Sequence, residues 1–283
     1  MRVIGIGDNV VDRYTNKRIM FPGGNAVNFA VYAKQCGVES AYLGLIADDP
    51  EGRLVRESLV QLGVDVSCSP LQSGFATERC DVVLEDGDRV FIGSSFGEGE
   101  WKPLHLEEEH MAYLKEFDLI HCGCYANMAP QICRLAGFDA VKTFDFSEEP
   151  EYRTDDYLSE VCPYVDIALF SGASMDEQMR QQIREKACIM GTDLVLITDG
   201  ARGQTLWDGE RIYPGKVKLV EAVDTMGAGD SFFTAFVIEL LRLGYKRGAG
   251  LSADHYQAAF EKAAEFSAET CQVDGAFGFG TAY

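Results

Sequence analysis

The chain has 283 residues, 47% of them hydrophobic, enough for one large α/β domain or two small ones with a sizeable core. A formal net charge of −20 at pH 7 argues against a nucleic-acid partner, because phosphate backbones are gripped by clustered Lys and Arg. No basic segment followed by an apolar core opens the chain, and no apolar run reaches membrane-spanning length. The expectation is therefore a cytoplasmic protein with no membrane partner.

The run Arg2 to Gly7 reads as a buried strand of a parallel sheet, ending in Gly7-Asp8-Asn9-Val10-Val11-Asp12. Carboxylates at the carboxyl end of such a strand face the crevice where open α/β sheets take ligands. Asp8 reads as a turn former and Asp12 as a candidate ligand contact. Gly5-Ile6-Gly7 begins a dinucleotide fingerprint, but Val10 stands where its third glycine is needed. Gly248-Ala249-Gly250 follows a helical pattern and not a strand, and no Walker A sequence is present. A nicotinamide oxidoreductase is disfavoured on these grounds.

Phe21-Pro22-Gly23-Gly24-Asn25-Ala26-Val27-Asn28 runs into a helix, where paired glycines followed by Asn suit a helix start. A strand from Ser40 to Ile46 leads to Asp48-Asp49-Pro50-Glu51-Gly52, with Asp49 as the cap of a helix over Arg53 to Leu62. Thr77 to Leu84 and Arg89 to Ser94 then flank Glu85-Asp86-Gly87-Asp88, a hairpin signal. With the extended segment Arg13 to Phe21, they make a small sheet outside the main fold. Arg89 and Phe91 are either substrate contacts or hairpin surface.

From Glu100 onward strands and helices alternate, with strands over Asp118 to Cys124, Ala140 to Ser147, Val165 to Ser171 and Asp193 to Thr198. That is the pattern of a doubly wound, mostly parallel α/β sheet flanked by helices. His121-Cys122-Gly123-Cys124 reads as a strand end with buried thiols, because no second cluster completes a metal site. Asp145 lies at a strand's carboxyl end, facing the crevice or forming a turn.

The chain is organised around Val223-Asp224-Thr225-Met226-Gly227-Ala228-Gly229-Asp230-Ser231-Phe232. A β-friendly run, Lys216 to Val223, precedes it and an apolar helix follows. Glycines before a helix leave its first N–H groups uncovered, and with the positive end of the helix dipole they form an anion site. Asp230 falls in the first turn, where the dipole favours an ionised carboxylate suited to taking a proton from an attacking hydroxyl.

Asp224 to Phe232 resembles the C-terminal signature of the ribokinase-like (PfkB) sugar kinases, and Gly23-Gly24-Asn25-Ala26-Val27-Asn28 resembles the other family signature. The likeness extends over nearly the whole chain. It implies a single ribokinase-like domain over residues 1–283, with a β-sheet lid formed by about 12–22 and 75–96. Gly227, Ala228 and Gly229 are implied as the anion hole and Asp230 as the catalytic base. Asp12, Gly23, Gly24 and Asn28 are implied on the sugar, with Arg89 and Asp145 as further candidates.

Ile197-Thr198-Asp199-Gly200-Ala201-Arg202-Gly203 resembles the family's nucleotide loop, implying ATP along Thr198, Gly200 and Gly203 together with Gly227 and Gly229. The last helix, Ala258 to Cys271, borders the adenine in the family, though its small residues fit plain helix packing equally. The family's Asn-x-x-Glu, whose Glu organises water on Mg²⁺, is altered: Ser171 replaces the Asn, and the carboxylate moves to Asp176 or Glu177. The implied activity is ATP- and Mg²⁺-dependent phosphorylation of a primary hydroxyl on a sugar or fructosamine. The local wording is most like that of family members acting on fructoselysine. A fructokinase, a nucleoside kinase or a non-catalytic sugar sensor is the alternative. A homodimer through the lid is expected from its exposed strands.

Overall fold

The computed structural model describes residues 1–283 except Asp86, which falls in the expected hairpin turn, and Glu98. In chain order it runs β1 (Arg2–Ile6), β2 (Val10–Tyr14), β3 (Ile19–Gly23), α1 (Asn25–Gln35), β4 (Glu39–Leu43), β5 (Ile46–Ala47), α2 (Pro50–Gln61) and β6 (Leu71–Gln72). Next come β7 (Glu78–Glu85), β8 (Asp88–Ser95), α3 (Glu108–Leu114), β9 (Leu119–Gly123), α4 (Ala129–Ile132), β10 (Val141–Asp145), α5 (Asp155–Val161) and β11 (Ile167–Ser171). The rest is α6 (Glu177–Ile189), β12 (Leu194–Thr198), β13 (Gln204–Trp207), β14 (Ile212–Gly215), α7 (Ala228–Arg242), α8 (Ala253–Thr270) and β15 (Thr281–Ala282).

The main sheet has the order β14-β13-β12-β11-β10-β9-β1-β4. Strands β12 through β4 in that order are parallel, while β13 pairs antiparallel with both its neighbours. Alternate residues of each strand feed different core layers, as a period of two requires. Ile4, Ile120, Phe144, Phe170 and Val195 pack with α4, α5 and α6; Val3, Leu119, Val141, Leu169 and Leu196 pack with α1, α7 and α8. The chain leaves β1 for β4 on one side and reaches β9 on the other, so a crevice opens at the carboxyl ends of β1 and β9.

A second sheet, β15-β3-β2-β7-β8, stands over that crevice. The segment expected to be one extended stretch folds back on itself: β2 and β3 pair antiparallel, with Asp12 opposite Phe21. Strand β2 also pairs in parallel with β7, and Tyr14, Phe21 and Val82 join a third apolar cluster with α1 and α2. Phe91 points to solvent at 55% exposure, whereas the Arg89 guanidinium reaches Thr225 Oγ1 at 3.1 Å, so the two hairpin residues part company. Asp49 caps α2, accepting from Gly52 N at 2.7 Å.

One expectation is corrected here. Lys216 to Val223 is irregular rather than a strand, and the sheet ends on that side with β13 and the edge strand β14. Its β-prone side chains gain no burial, since Leu219 is 72% exposed, so propensity had nothing to act on. The tail, which carried no expectation, adds β15 to the second sheet through Thr281 opposite Met20.

The helix that carries the site lies hard against β1. A Cβ on Gly5 would fall 2.2 Å from the Ala26 carbonyl oxygen, a backbone atom that cannot step aside. Gly5→Ala is therefore expected to destabilise the chain by roughly 1–3 kcal/mol or more through overpacking. A lowered urea midpoint is the expected readout, and an unchanged one contradicts this close approach.

Candidate active site

The turn into α1 depends on two glycines. Gly24 has φ +110°, and a Cβ there would approach Asn9 Cα to 2.9 Å; on Gly23 it would meet Asp12 Oδ2 at 2.5 Å. Asp8 reaches across from the end of β1 to cap the helix, accepting from Asn25 N at 2.7 Å and Ala26 N at 3.3 Å.

Helix α1 then aims two asparagines at Asp230. Asn28 Nδ2 donates to Asp230 Oδ2 at 2.6 Å and Asn25 Nδ2 to Asp230 Oδ1 at 3.0 Å. The same Asn25 amide also donates to Asp145 Oδ2 at 2.9 Å, bridging the two carboxylates. Its oxygen, Oδ1, lies 2.9 Å from His121 Nε2, and His121 Nδ1 lies 2.9 Å from Thr143 Oγ1. Because the Asn25 NH₂ faces two acids, its oxygen must accept, so His121 donates from Nε2 and accepts the Thr143 hydroxyl at Nδ1. Burial lowers the His121 pKa to about 3, and the neutral ring stacks on Phe29 with centroids 4.3 Å apart.

Sequence reasoning brought Asp12, Asn28, Asp145 and Asp230 to this crevice but left out Asn25, His121 and Thr143. The signal for His121 was its place at the end of a buried strand, read there only as core. Cys122 and Cys124 beside it are buried free thiols. Among the described residues no group of three or more His, Cys, Asp or Glu is arranged to hold a metal.

Burial dominates the electrostatics. It raises Asp8 to about 6 and Asp12 and Asp145 to about 7, with neighbouring carboxylates adding to the shift. Asp230 was expected to stay ionised on the strength of the helix dipole. Instead burial pushes its pKa up, and the Asn28 and Asn25 amides and the Arg89 guanidinium pull it part of the way back. Asp12 is only 4% exposed and makes no hydrogen bond to the described residues. Asn28 Oδ1 and Arg89 Nε are likewise buried without partners, so the crevice holds an acceptor and a donor still to be satisfied.

At the start of α7, Gly227 adopts φ +73°, and a Cβ there would lie 2.1 Å from Tyr32 Oη. Ala228 N turns back to Thr225 O at 3.2 Å, so this amide serves the turn and not the open terminus. The amides of Gly227, Gly229 and Asp230 have no backbone acceptor among the described residues, and Gly229 borders open space. These are the donors left open at the start of the helix. Upstream, Asp224 is fully buried and accepts from Tyr14 Oη at 2.7 Å, Met226 N at 2.9 Å and Gly275 N at 2.8 Å, tying β2, the glycine turn and the tail together.

Thr198 ends β12 and leads into a turn with Gly200 at φ +52° and Gly203 at φ +108°. Asp199 holds that turn, accepting from Arg180 and Arg202; the Arg202 contact, ahead of the Arg180 one, keeps its carboxyl below the ordinary range. Asp176 caps α6 by accepting from Met179 N at 2.8 Å, and Glu177 pairs with Arg184 at 2.6 Å. Both carboxylates suggested for metal are thus engaged in holding α6.

The pfkB family carbohydrate kinase model matches residues 3–278. The chain is 35% identical to fructosamine kinase FrlD of Bacillus subtilis, over all of this chain and 95% of that protein. It is 32% identical to fructoselysine 6-kinase of Escherichia coli, over 96% of this chain and 98% of that protein. Fructokinase with bound ATP from Xylella fastidiosa superposes with a TM-score of 0.81 at 17% identity, covering 98% and 94% of the two chains. The chain belongs to the pfkB family of carbohydrate kinases, phosphotransferases with an alcohol group as acceptor, and has their ribokinase-like α/β fold.

The raised carboxyls carry a pH signature. Between about pH 4 and pH 7 folded Asp12 keeps a proton that the unfolded chain has lost, so its contribution to stability falls as pH rises through that window. Asp12→Asn removes the titration. Its stability relative to the parent is expected to improve by roughly 1–3 kcal/mol from pH 5 to pH 8. Thermal denaturation of both proteins across that range checks it; a pH-independent difference contradicts the assignment.

Proposed function

We propose that this chain transfers the γ-phosphoryl group of ATP to a primary hydroxyl of an amine-linked ketose, with fructoselysine giving fructoselysine 6-phosphate as the preferred reaction. The observation that carries the reading is Asp230, held by Asn25 and Asn28 in the first turn of α7, beside amides with no other acceptor. Asp230 takes the proton from the attacking hydroxyl. The new O–P bond forms as the bond from the γ-phosphorus to the ADP oxygen breaks, and the Gly227, Gly229 and Asp230 amides stabilise the charge on the moving group. Asp12, Asn28 Oδ1 and the Gly23–Gly24 turn orient the sugar, with Asp145 and Arg89 at its edges.

Thr198, Gly200 and Gly203 suit the nucleotide, because both glycines adopt positive φ and expose backbone where the phosphates run. Asp176 and Glu177 are occupied in holding α6, so the residues present do not build a magnesium site of their own. Magnesium enters this reading as the chelate of ATP. The second sheet acts as the lid of a single domain spanning residues 1–283, in a cytoplasmic enzyme. Its outer strand β8 exposes Val90, Phe91 and Ile92, an edge suited to pairing with a second copy of the chain. Sedimentation equilibrium at micromolar concentration is expected to give twice the chain mass; a single-chain mass rejects the dimer.

An amine-bearing acceptor is favoured over a neutral ketose by charge. Asp8, Asp12, Asp145 and Asp230 converge, with Arg89 the cation that acts on Asp12 and Asp230. The similarity to a fructosamine kinase and a fructoselysine 6-kinase supports the same acceptor, with fructose as the alternative. ATP consumption compared across fructoselysine, fructose, ribose and adenosine decides among them. In Asp230→Asn, sugar and ATP binding are expected to persist while turnover falls about 10²- to 10⁴-fold, the scale of a general base. Near-normal turnover in that variant removes the mechanism.

A further inference from the structure

We propose that Glu78 and the aromatic cleft beside it bind the cationic amine arm of the acceptor. The inference rests on the amine-linked ketose reading above and names the residue that enforces it. Strand β7 pairs with β2 so that Glu78 stands beside Val10 and Cys80 beside Asp12. Neighbouring strands share their pleat, so Glu78 and Asp12 point to the same face of the second sheet, one step apart along it. Glu78 is near enough to contribute to the raised pKa of Asp12.

The two faces of β7 are treated differently. Residues alternating with Glu78 are ion-paired: Arg79 with Glu51 at 2.7 Å, and Asp81 with Arg13 at 2.7 Å. Glu78 is half-buried and makes neither an ion pair nor a hydrogen bond with the described residues. Asp12, beside it, is nearly fully buried and equally without a partner. A half-buried carboxylate next to a second, desolvated acid is costly unless a cation joins them.

Glu78 lines a cleft together with Phe75, Trp101, Tyr125, Asp8 and Lys102. Asp8 also caps α1 through Asn25 N, so the cleft opens directly off the carboxylate cluster. A ketose with its 6-hydroxyl at Asp230 turns C1, the far end of its carbon chain, away from the start of α7. An amine attached at C1 then enters the cleft. A protonated secondary amine meets Glu78 in a charge-assisted hydrogen bond, and aromatic faces cover the methylenes that follow. Lys102 Nζ lies 5.9 Å from the Phe75 ring centroid and suits the carboxylate of an amino-acid arm.

The test compares kcat/KM of the parent and Glu78→Gln on fructose and on 1-deoxy-1-propylaminofructose, which has the amine but no amino-acid end. The ratio of the two substrates on one preparation cancels any loss of folded protein. The variant is expected to lose about ten- to a hundredfold of the preference for the amine-linked sugar, with the change carried by KM. A variant that keeps the parental preference overturns the role of Glu78 and leaves the substrate reading standing. A parent enzyme with no preference for the amine-linked sugar overturns that reading, and this inference with it.

Discussion

The site depends on the orientation of one amide. Asn25 stands between two half-buried carboxylates, and it joins them only while its NH₂ points at both and its oxygen points at His121. A flipped amide would set its oxygen against Asp145 and Asp230 and its NH₂ against the Nε2 hydrogen, losing three hydrogen bonds in a low-dielectric crevice. Burial keeps the imidazole neutral, so it meets the Asn25 oxygen with its Nε2 hydrogen. The Thr143 hydroxyl, able to donate or accept, adapts by donating to Nδ1. Stacking on Phe29 fixes the ring plane, and Phe29 is one turn along the helix that carries Asn25. The helix thus supplies both the amide and part of the packing that holds it.

A second buried group ties the cover to the floor. Asp224 accepts from a side chain of the second sheet, from the glycine turn and from the tail, so none of these moves without leaving a buried carboxylate short of a donor. The hairpin tip meets the next residue along: Thr225 N donates to Gly87 O at 3.1 Å, and Thr225 Oγ1 joins Asp88 and Arg89. The second sheet and the start of α7 are therefore tied together through two consecutive residues, Asp224 and Thr225. Arg89 arrives over Asp12 and Asp230 only because the hairpin rests there.

The parts of this site legible in the sequence are those whose chemistry is local. Gly23, Gly24 and Gly227 mark backbone that a side chain would obstruct, and short-range spacing carries that information. Asp145 and Asp230 follow from their positions at a strand end and a helix start. Asp12, read as following the first strand, instead lies in the middle of β2 and reaches the crevice from the second sheet. His121 was passed over because its partners are 22 and 96 residues away, and a histidine inside an apolar strand looks like core until the fold brings Asn25 to it. Lys216 to Val223 was misread for the opposite reason: its residues have strand propensity, but no neighbour buries them. The tail's pairing with β3 joins Thr281 to Met20, residues from opposite ends of the chain that no local pattern connects.

These arrangements explain why the carboxylates sit above their ordinary range. Desolvation raises Asp8, Asp12, Asp145 and Asp230 together, and the amides, backbone donors and one guanidinium recover only part of the cost. A crevice built this way carries a standing electrostatic cost in the folded chain. Whatever relieves it binds the more tightly, because the cost of burying the acids was met when the chain folded. The same burial that lowers the stability of the site holds Asp230 above its ordinary range along with its neighbours.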